Sequence, residues 1–80
     1  MLIIKVLGSG CANCKRLEQM ARKAVEQLGI EAEITKVTDP TQYADYGVMS
    51  TPGLVINEKT VSSGRIPSFP ELTSFITSAL

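Results

Sequence analysis

The pattern of apolar and polar residues begins with an apolar run that is too short for a helix. Leu2 to Leu7 is rich in aliphatic residues and stops at a Gly-Ser-Gly sequence, which predicts a buried strand followed by a tight loop. A longer amphipathic segment comes next and ends at Gly29, a residue that favours helix termination. Its apolar positions follow the spacing of a helix and are Leu17, Met20, Ala21, Ala24, Val25 and Leu28.

The next segments complete a strand, helix and strand unit. Glu31 to Val37 alternates between apolar and polar residues, as a strand with one face more apolar than the other does. Such a unit predicts parallel strands with a right-handed crossover. Asp39 and Pro40 then supply a cap and a first-turn proline for a short helix over Thr41 to Tyr46, closed by Gly47.

The last third of the chain predicts a hairpin and a helix. Leu54 to Ile56 forms a third strand, Asn57 to Thr60 a polar turn, and Val61 to Ser63 a fourth strand. Ser68 and Glu71 have the spacing of a capping box at the start of a final helix. Its apolar face consists of Leu72, Phe75, Ile76 and Ala79. The predicted fold is α/β, with the element order β-α-β-α-β-β-α.

Size and composition exclude several classes of protein. Eighty residues make one domain, residues 1–80, and two cysteines are too few for the disulfide-dense secreted class. Eight basic residues balance eight acidic ones, so nothing predicts a nucleic-acid or membrane partner. The first apolar run is too short for a membrane helix or a signal-peptide core. We therefore expect a cytoplasmic protein.

Cys11 and Cys14 lie where the glycine-containing loop meets the first predicted helix. Residues three apart share one face of a helical turn at about 5 to 6 Å, which suits a disulfide that can close and open. The helix start also stabilises a thiolate, and can lower a thiol pKa from about 8.5 to about 3.5–7.5. We therefore expect Cys11 to be the nucleophile, helped by the charge of Lys15, and Cys14 the resolving thiol. The alternative is two buried cysteines that serve as small apolar residues.

Thr51-Pro52-Gly53 precedes the third predicted strand. Proline is tolerated at the first residue of a strand because its missing N–H is not needed there. The functional alternative is a cis bond between Thr51 and Pro52 that shapes a turn next to the cysteines and leaves a backbone edge free for a peptide.

Together these motifs resemble the thioredoxin-like superfamily, in particular its small redox-active disulfide proteins. The resemblance implies a four-stranded mixed sheet in the order second, first, third, fourth strand, with helices on both faces. It implies that Cys11 attacks, that Cys14 resolves, that Pro52 is the cis proline and that the Thr51 backbone pairs with substrate. Gly64 would keep the groove open. The expected activity is thiol–disulfide exchange with a protein or small thiol partner, with a separate reductase. We expect it to be carried out by a monomer without cofactor or metal.

Lys5 departs from this resemblance, because full thioredoxins place a buried acid six residues before the first cysteine. The packing interpretation buries its aliphatic stem under a helix and lets the ammonium reach solvent. The functional interpretation places the amine near the cysteine pair, where it would favour thiolate while burial lowers the pKa of the lysine itself.

Two other functions fit parts of the sequence. A soft-metal carrier also places a Cys-x-x-Cys pair after a first strand, and two thiolates suit Cu(I). A non-catalytic thiol sensor or binding module could use the same fold. Tyr43 and Tyr46 would then form a docking patch, although packing is the more common role of such residues.

Overall fold

The computed structural model describes residues 1–10 and 12–80. The elements follow the order β-α-β-α-β-β-α. They are β1 (Leu2–Leu7), α1 (Ala12–Leu28), β2 (Ala32–Val37), α2 (Pro40–Tyr43), a 3₁₀ helix (Ala44–Tyr46), β3 (Gly53–Ile56), β4 (Lys59–Ser63) and α3 (Phe69–Ser78).

The four strands form one mixed sheet in the order β2-β1-β3-β4. β1 pairs in parallel with β2, from Leu2 opposite Ala32 to Leu7 opposite Val37. It pairs antiparallel with β3, which in turn forms the antiparallel hairpin with β4. The predicted fold class and strand order are confirmed, and β1 lies in the interior of the sheet.

Both faces of the sheet are covered. α1 and α3 pack on the face that carries Ile4 and Val6. The opposite face carries Leu7 and Val55 and is covered by the segment from α2 to Val48. This division follows from strand alternation, which sends neighbouring side chains of β1 to opposite faces. No helix in the described part of the chain is long and apolar enough to cross a bilayer.

Helix ends follow the predicted caps. The Asp39 side chain accepts a hydrogen bond from the Thr41 amide at 3.0 Å, with Pro40 in the first turn. Ser68 and Glu71 form the predicted capping box. The predicted helix over 41–46 is divided, because α2 ends at Tyr43 and the chain continues as the tighter 3₁₀ helix.

The hairpin turn is shorter than predicted. Asn57 and Glu58 alone form it, with φ angles of 50° and 67°, and β4 begins at Lys59 instead of Val61. Two consecutive residues with positive φ match the twist of a two-residue hairpin connection. The predicted four-residue turn was therefore wrong in length, although the hairpin itself is present.

Candidate functional site: the loops around Cys14

Cys14 lies in the first turn of α1 and is only 4% exposed. The first turn contains no acidic residue, so no carboxylate on it opposes the partial positive charge of the helix start. Cys11, the predicted attacking thiol, lies outside the described residues. Lys15 follows Cys14 in the same helix and its side chain is exposed to solvent, as a residue on the rim of a site would be.

Gly8, at the end of β1, allows Cys14 to approach the sheet. A Cβ built on Gly8 would overlap the Sγ of Cys14 and would lie 3.0 Å from its Cβ. Sequence reasoning used this glycine only to end the strand and missed the contact. A glycine at a junction between a strand and a helix is the signal that could have indicated it, since such glycines often mark close packing.

The loop before β3 reaches the same place. The Cβ of Thr51 would lie 3.8 Å from a Cβ on Gly8, so Thr51 and Cys14 flank one glycine. The Thr51–Pro52 peptide bond is cis, Thr51 is exposed and Pro52 is buried. The structure thus brings the predicted Thr51, Pro52 and Cys14 to one end of the sheet.

Gly64 contacts the loop that carries Thr51 and Pro52. Its amide donates a hydrogen bond to the carbonyl of Pro52 at 3.0 Å. Its φ of +75° lies in the left-handed region, and a Cβ there would come within 3.2 Å of the Cβ of Ser50. A side chain at position 64 would therefore be strained and would press on the loop that carries Thr51.

Lys5 is bound to two side chains on the face covered by α2. Its Nζ donates to the Tyr46 hydroxyl at 2.7 Å and to Glu58 Oε1 at 2.5 Å. The hydrogen bond to Glu58, and next the one to Tyr46, raise the pKa of Lys5 above its ordinary value. This direction is opposite to the lowering that was expected from burial, because the negative partner outweighs the loss of hydration.

Tyr43 and Tyr46 pack against the buried cluster on that face, as the packing interpretation of these residues predicts. The Tyr43 hydroxyl is buried without a hydrogen-bond partner among residues 1–10 and 12–80. Within the same residues, no group of three or more His, Cys, Asp or Glu side chains is placed to hold a metal ion.

Comparison with known proteins gives one consistent result. A family model described as "Thioredoxin domain" matches residues 2–77. The chain is 41% identical over 80 residues to a thioredoxin of Methanocaldococcus jannaschii, covering all of this chain and 92% of that protein. It is 38% identical over 76 residues to a thioredoxin of Methanothermobacter thermautotrophicus, covering 95% of this chain and 99% of that protein.

Solved structures share the fold at lower sequence identity. A mutant thioredoxin from Halobacterium salinarum superimposes with a TM-score of 0.73 at 21% identity, covering 98% of this chain and 74% of that one. Thioredoxin 1 from Thermosipho africanus gives 0.64 at 21% identity, covering 95% and 91%.

Proposed function

The chain belongs to the thioredoxin domain family, whose members are thiol–disulfide oxidoreductases, and from this premise we propose that Cys11 and Cys14 exchange disulfides with a protein partner. One observation carries the proposal. Cys14 is buried against Gly8 in the first turn of α1, beside the loop of Thr51 and Pro52. A buried thiol in the first turn of a helix is suited to resolve a mixed disulfide formed by the residue three positions before it.

The proposed reaction transfers two electrons. The thiolate of Cys11 attacks one sulfur of the partner's disulfide, forms a mixed disulfide and releases the other partner sulfur as a thiolate. Cys14, as thiolate, then attacks the Cys11 sulfur and releases the second partner thiolate, and solvent protonates both. The partner leaves as a dithiol, and the chain keeps an intramolecular disulfide that a separate reductase reduces again.

Charge near the cysteines would favour the first step. Cys11 directly precedes the first residue of α1, where unpaired amides and the helix dipole stabilise a thiolate. Lys15 adds an exposed positive charge in the following turn. In this proposal the cysteine pair works in the cytoplasm, where reductants return it to the dithiol state.

The substrate would bind along the loop that precedes β3. Thr51 is exposed and its backbone can pair with an extended peptide, while Pro52 has no N–H to donate. Gly64 leaves room beside this loop, because it carries no side chain to press on Ser50. A polypeptide disulfide is therefore the proposed substrate class.

Thiol labelling tests the proposal. The reduced chain should take up two alkylating groups and the oxidised chain none, if the two cysteines form one reversible disulfide. Equal labelling before and after reduction would contradict the proposal and would favour a metal-binding or structural role.

The two thiols should also differ from each other. A Cys14→Ser variant should accumulate a mixed disulfide with a disulfide-linked peptide, because nothing resolves it, whereas Cys11→Ser should not. Faster trapping through Cys14 would reverse the assigned roles.

A further inference from the structure

A polar cluster of Lys5, Tyr46 and Glu58 joins three segments that are far apart in sequence. Lys5 comes from β1, Tyr46 ends the 3₁₀ helix and Glu58 lies in the hairpin turn. Each pair is hydrogen-bonded, since the Tyr46 hydroxyl also donates to Glu58 Oε2 at 3.0 Å. Charged partners make such hydrogen bonds stronger than neutral ones.

Lys5 is the unusual member of this cluster. It is the one charged residue of an apolar strand in the interior of the sheet, and its side chain is 23% exposed. Glu58 is more exposed, at 62%, so the cluster lies at the boundary between the sheet face and solvent. The lysine stem crosses the apolar face and its ammonium ends at this boundary, where Tyr46 and Glu58 accept its hydrogen bonds.

The cluster fixes the start of the loop that carries Thr51. Thr60 donates to the carbonyl of Tyr46 at 2.6 Å, so the hairpin holds the backbone of Tyr46 as well as its hydroxyl. Gly47 follows as a single residue with left-handed backbone angles, and the Val48 amide donates to the carbonyl of Tyr43 at 2.9 Å.

The same loop has a second anchor at its other end. Val48 is buried, and its Cγ1 would lie 2.9 Å from a Cβ on Gly53, which shows how closely the start of the loop packs on the start of β3. The carbonyl of Pro52 accepts the bond from Gly64. Between these anchors the residues 49–51 are exposed to solvent.

We propose that Lys5, Tyr46 and Glu58 are positioning residues that hold the 49–51 loop in the place where it meets a polypeptide substrate. The inference rests on the proposed function and adds to it the side chains that set substrate recognition. Because these residues act on the loop and not on the sulfur atoms, they should matter for a peptide disulfide and not for a small disulfide that needs no backbone pairing.

Turnover with dithiothreitol as reductant tests this with two substrates, a disulfide-linked peptide and hydroxyethyl disulfide. In Lys5→Met, Glu58→Gln and Tyr46→Phe, the KM for the peptide should rise by about five-fold, the size expected when the net contribution of one ordinary hydrogen bond is lost, with kcat unchanged. Turnover of hydroxyethyl disulfide should stay as it is. Lys59→Met is the matched control, because Lys59 is exposed and directly follows Glu58.

Two results would overturn the proposal. Equal slowing with both disulfides would mean that the cluster acts on the thiols, and unchanged KM values in all three variants would mean that it does not position the loop. Glu58→Gln keeps the test usable if Lys5→Met unfolds, since Glu58 lies in an exposed turn.

Hydrogen exchange separates this proposal from the proposed function. The amides of Val48 and Gly64 bond to the carbonyls of Tyr43 and Pro52, so they report whether the loop keeps its place. Both should exchange about five-fold faster in Glu58→Gln than in the parent chain, while amides inside α1 do not change. Unchanged exchange at both amides would refute the positioning role, whether or not the chain reacts with a disulfide. A chain that reacts with neither disulfide would refute only the oxidoreductase assignment.

Discussion

The two faces of the sheet are covered by different kinds of contact. On the α1 and α3 face, the described residues include a cluster of buried apolar side chains, all at most 5% exposed. These are Leu2, Ile4, Val6, Leu17, Ala21, Ala24, Leu54, Ile56, Leu72 and Ile76. On the α2 face the buried apolar cluster is smaller and consists of Leu7, Val37, Val48 and Val55. Lys5, Tyr46 and Glu58 add a hydrogen-bonded cluster there.

This difference separates stability from positioning. The free energy gained by apolar burial is proportional to the area buried and does not depend on direction. Because the α1 and α3 face has the larger buried cluster, it supplies most of the free energy of folding. Hydrogen bonds have defined geometry, and a cluster of them can fix where a loop lies with a small net contribution to that free energy. The site at the end of the sheet draws on both faces, since Cys14 comes from α1 and Thr51 from the loop on the other side.

A matched pair of leucines should show the largest effect. Leu17 and Leu7 are both 0% exposed, the first in the larger cluster and the second in the smaller one. Leu→Ala substitutions in cores reduce the free energy of unfolding by about 2 to 5 kcal/mol. We expect the loss in Leu17→Ala to lie near the upper end of this range and the loss in Leu7→Ala near the lower end. The segment from α2 to Val48 is a thinner layer than α1 and α3, so it can move into the cavity that Leu7→Ala leaves. Urea denaturation measures both, and equal losses would contradict the comparison.

Gly8 comes next, because it lies where the two faces meet the site. Gly8→Ala should reduce the free energy of unfolding by about 1 to 3 kcal/mol, the usual range for overpacking, since the new Cβ overlaps Cys14. The loss should be present in both the oxidised and the reduced chain. Ser9→Ala is the control, because Ser9 is an exposed neighbour in the same loop. An equal, small effect of both substitutions would show that Cys14 can move away at little cost.

The dependence of the free energy of unfolding on acid pH should differ between the two faces, because each has a carboxylate whose pKa is lowered. Arg65 and the Ser68 amide, at 3.0 and 3.1 Å, lower the pKa of Glu71 to about 2 from its ordinary value of 4.5. A folded-state pKa below the unfolded one stabilises the chain above about pH 4.5, and this contribution disappears as the pH falls toward about 2. Glu71→Gln should therefore flatten the decline in stability over this range.

Glu58 on the other face is the comparison for that titration. Its pKa is lowered in the same direction, first by the hydrogen bond from Lys5. Glu58→Gln should also flatten the acid decline, by less, because Glu58 is the more exposed of the two carboxylates. Denaturation midpoints measured at steps from pH 7 to pH 2 test both variants. A steeper decline in Glu71→Gln than in the parent chain would mean that ionised Glu71 does not stabilise the folded chain.

The sequence predicted the elements whose signals are local. Leu17, Ala21 and Ala24 repeat at helical spacing, and Ser68 with Glu71 carry a cap within one turn, so both could be found by inspection. The hairpin was predicted in the same way, but the length of its turn was not, because the positive φ of Glu58 depends on how β3 and β4 pair.

The candidate site was predictable in part for the same reason. The Thr51-Pro52 motif and Gly64 could be chosen from the sequence. The structure places Thr51 next to Gly8, which Cys14 contacts, and hydrogen-bonds the Gly64 amide to the Pro52 carbonyl. The partners of Lys5 lie 41 and 53 residues away, so no local pattern indicates them. The contact between Gly8 and Cys14 depends on how α1 docks on the sheet. An effect of Lys5 on the pKa of a cysteine is the competing prediction, and equal slowing of Lys5→Met with both disulfides would favour it over the positioning role.

Met49 should show the smallest effect on stability and a selective effect on substrate use. Its side chain is 98% exposed, beside the buried Val48, so Met49→Ser should change the free energy of unfolding by less than about 0.5 kcal/mol. A bound peptide that covers part of this side chain would remove apolar area from water, and full burial of a Met is worth about 1.5 to 3 kcal/mol. Partial cover predicts a KM for a peptide disulfide that rises by a few-fold, with turnover of hydroxyethyl disulfide unchanged. Leu80→Ser is the control, because Leu80 is also exposed but lies near Met1, at the opposite end of β1 from Gly8. If both variants used the peptide as well as the parent chain does, the loop would contact substrate through its backbone alone. The α2 face would then position Thr51 without contributing an apolar contact of its own.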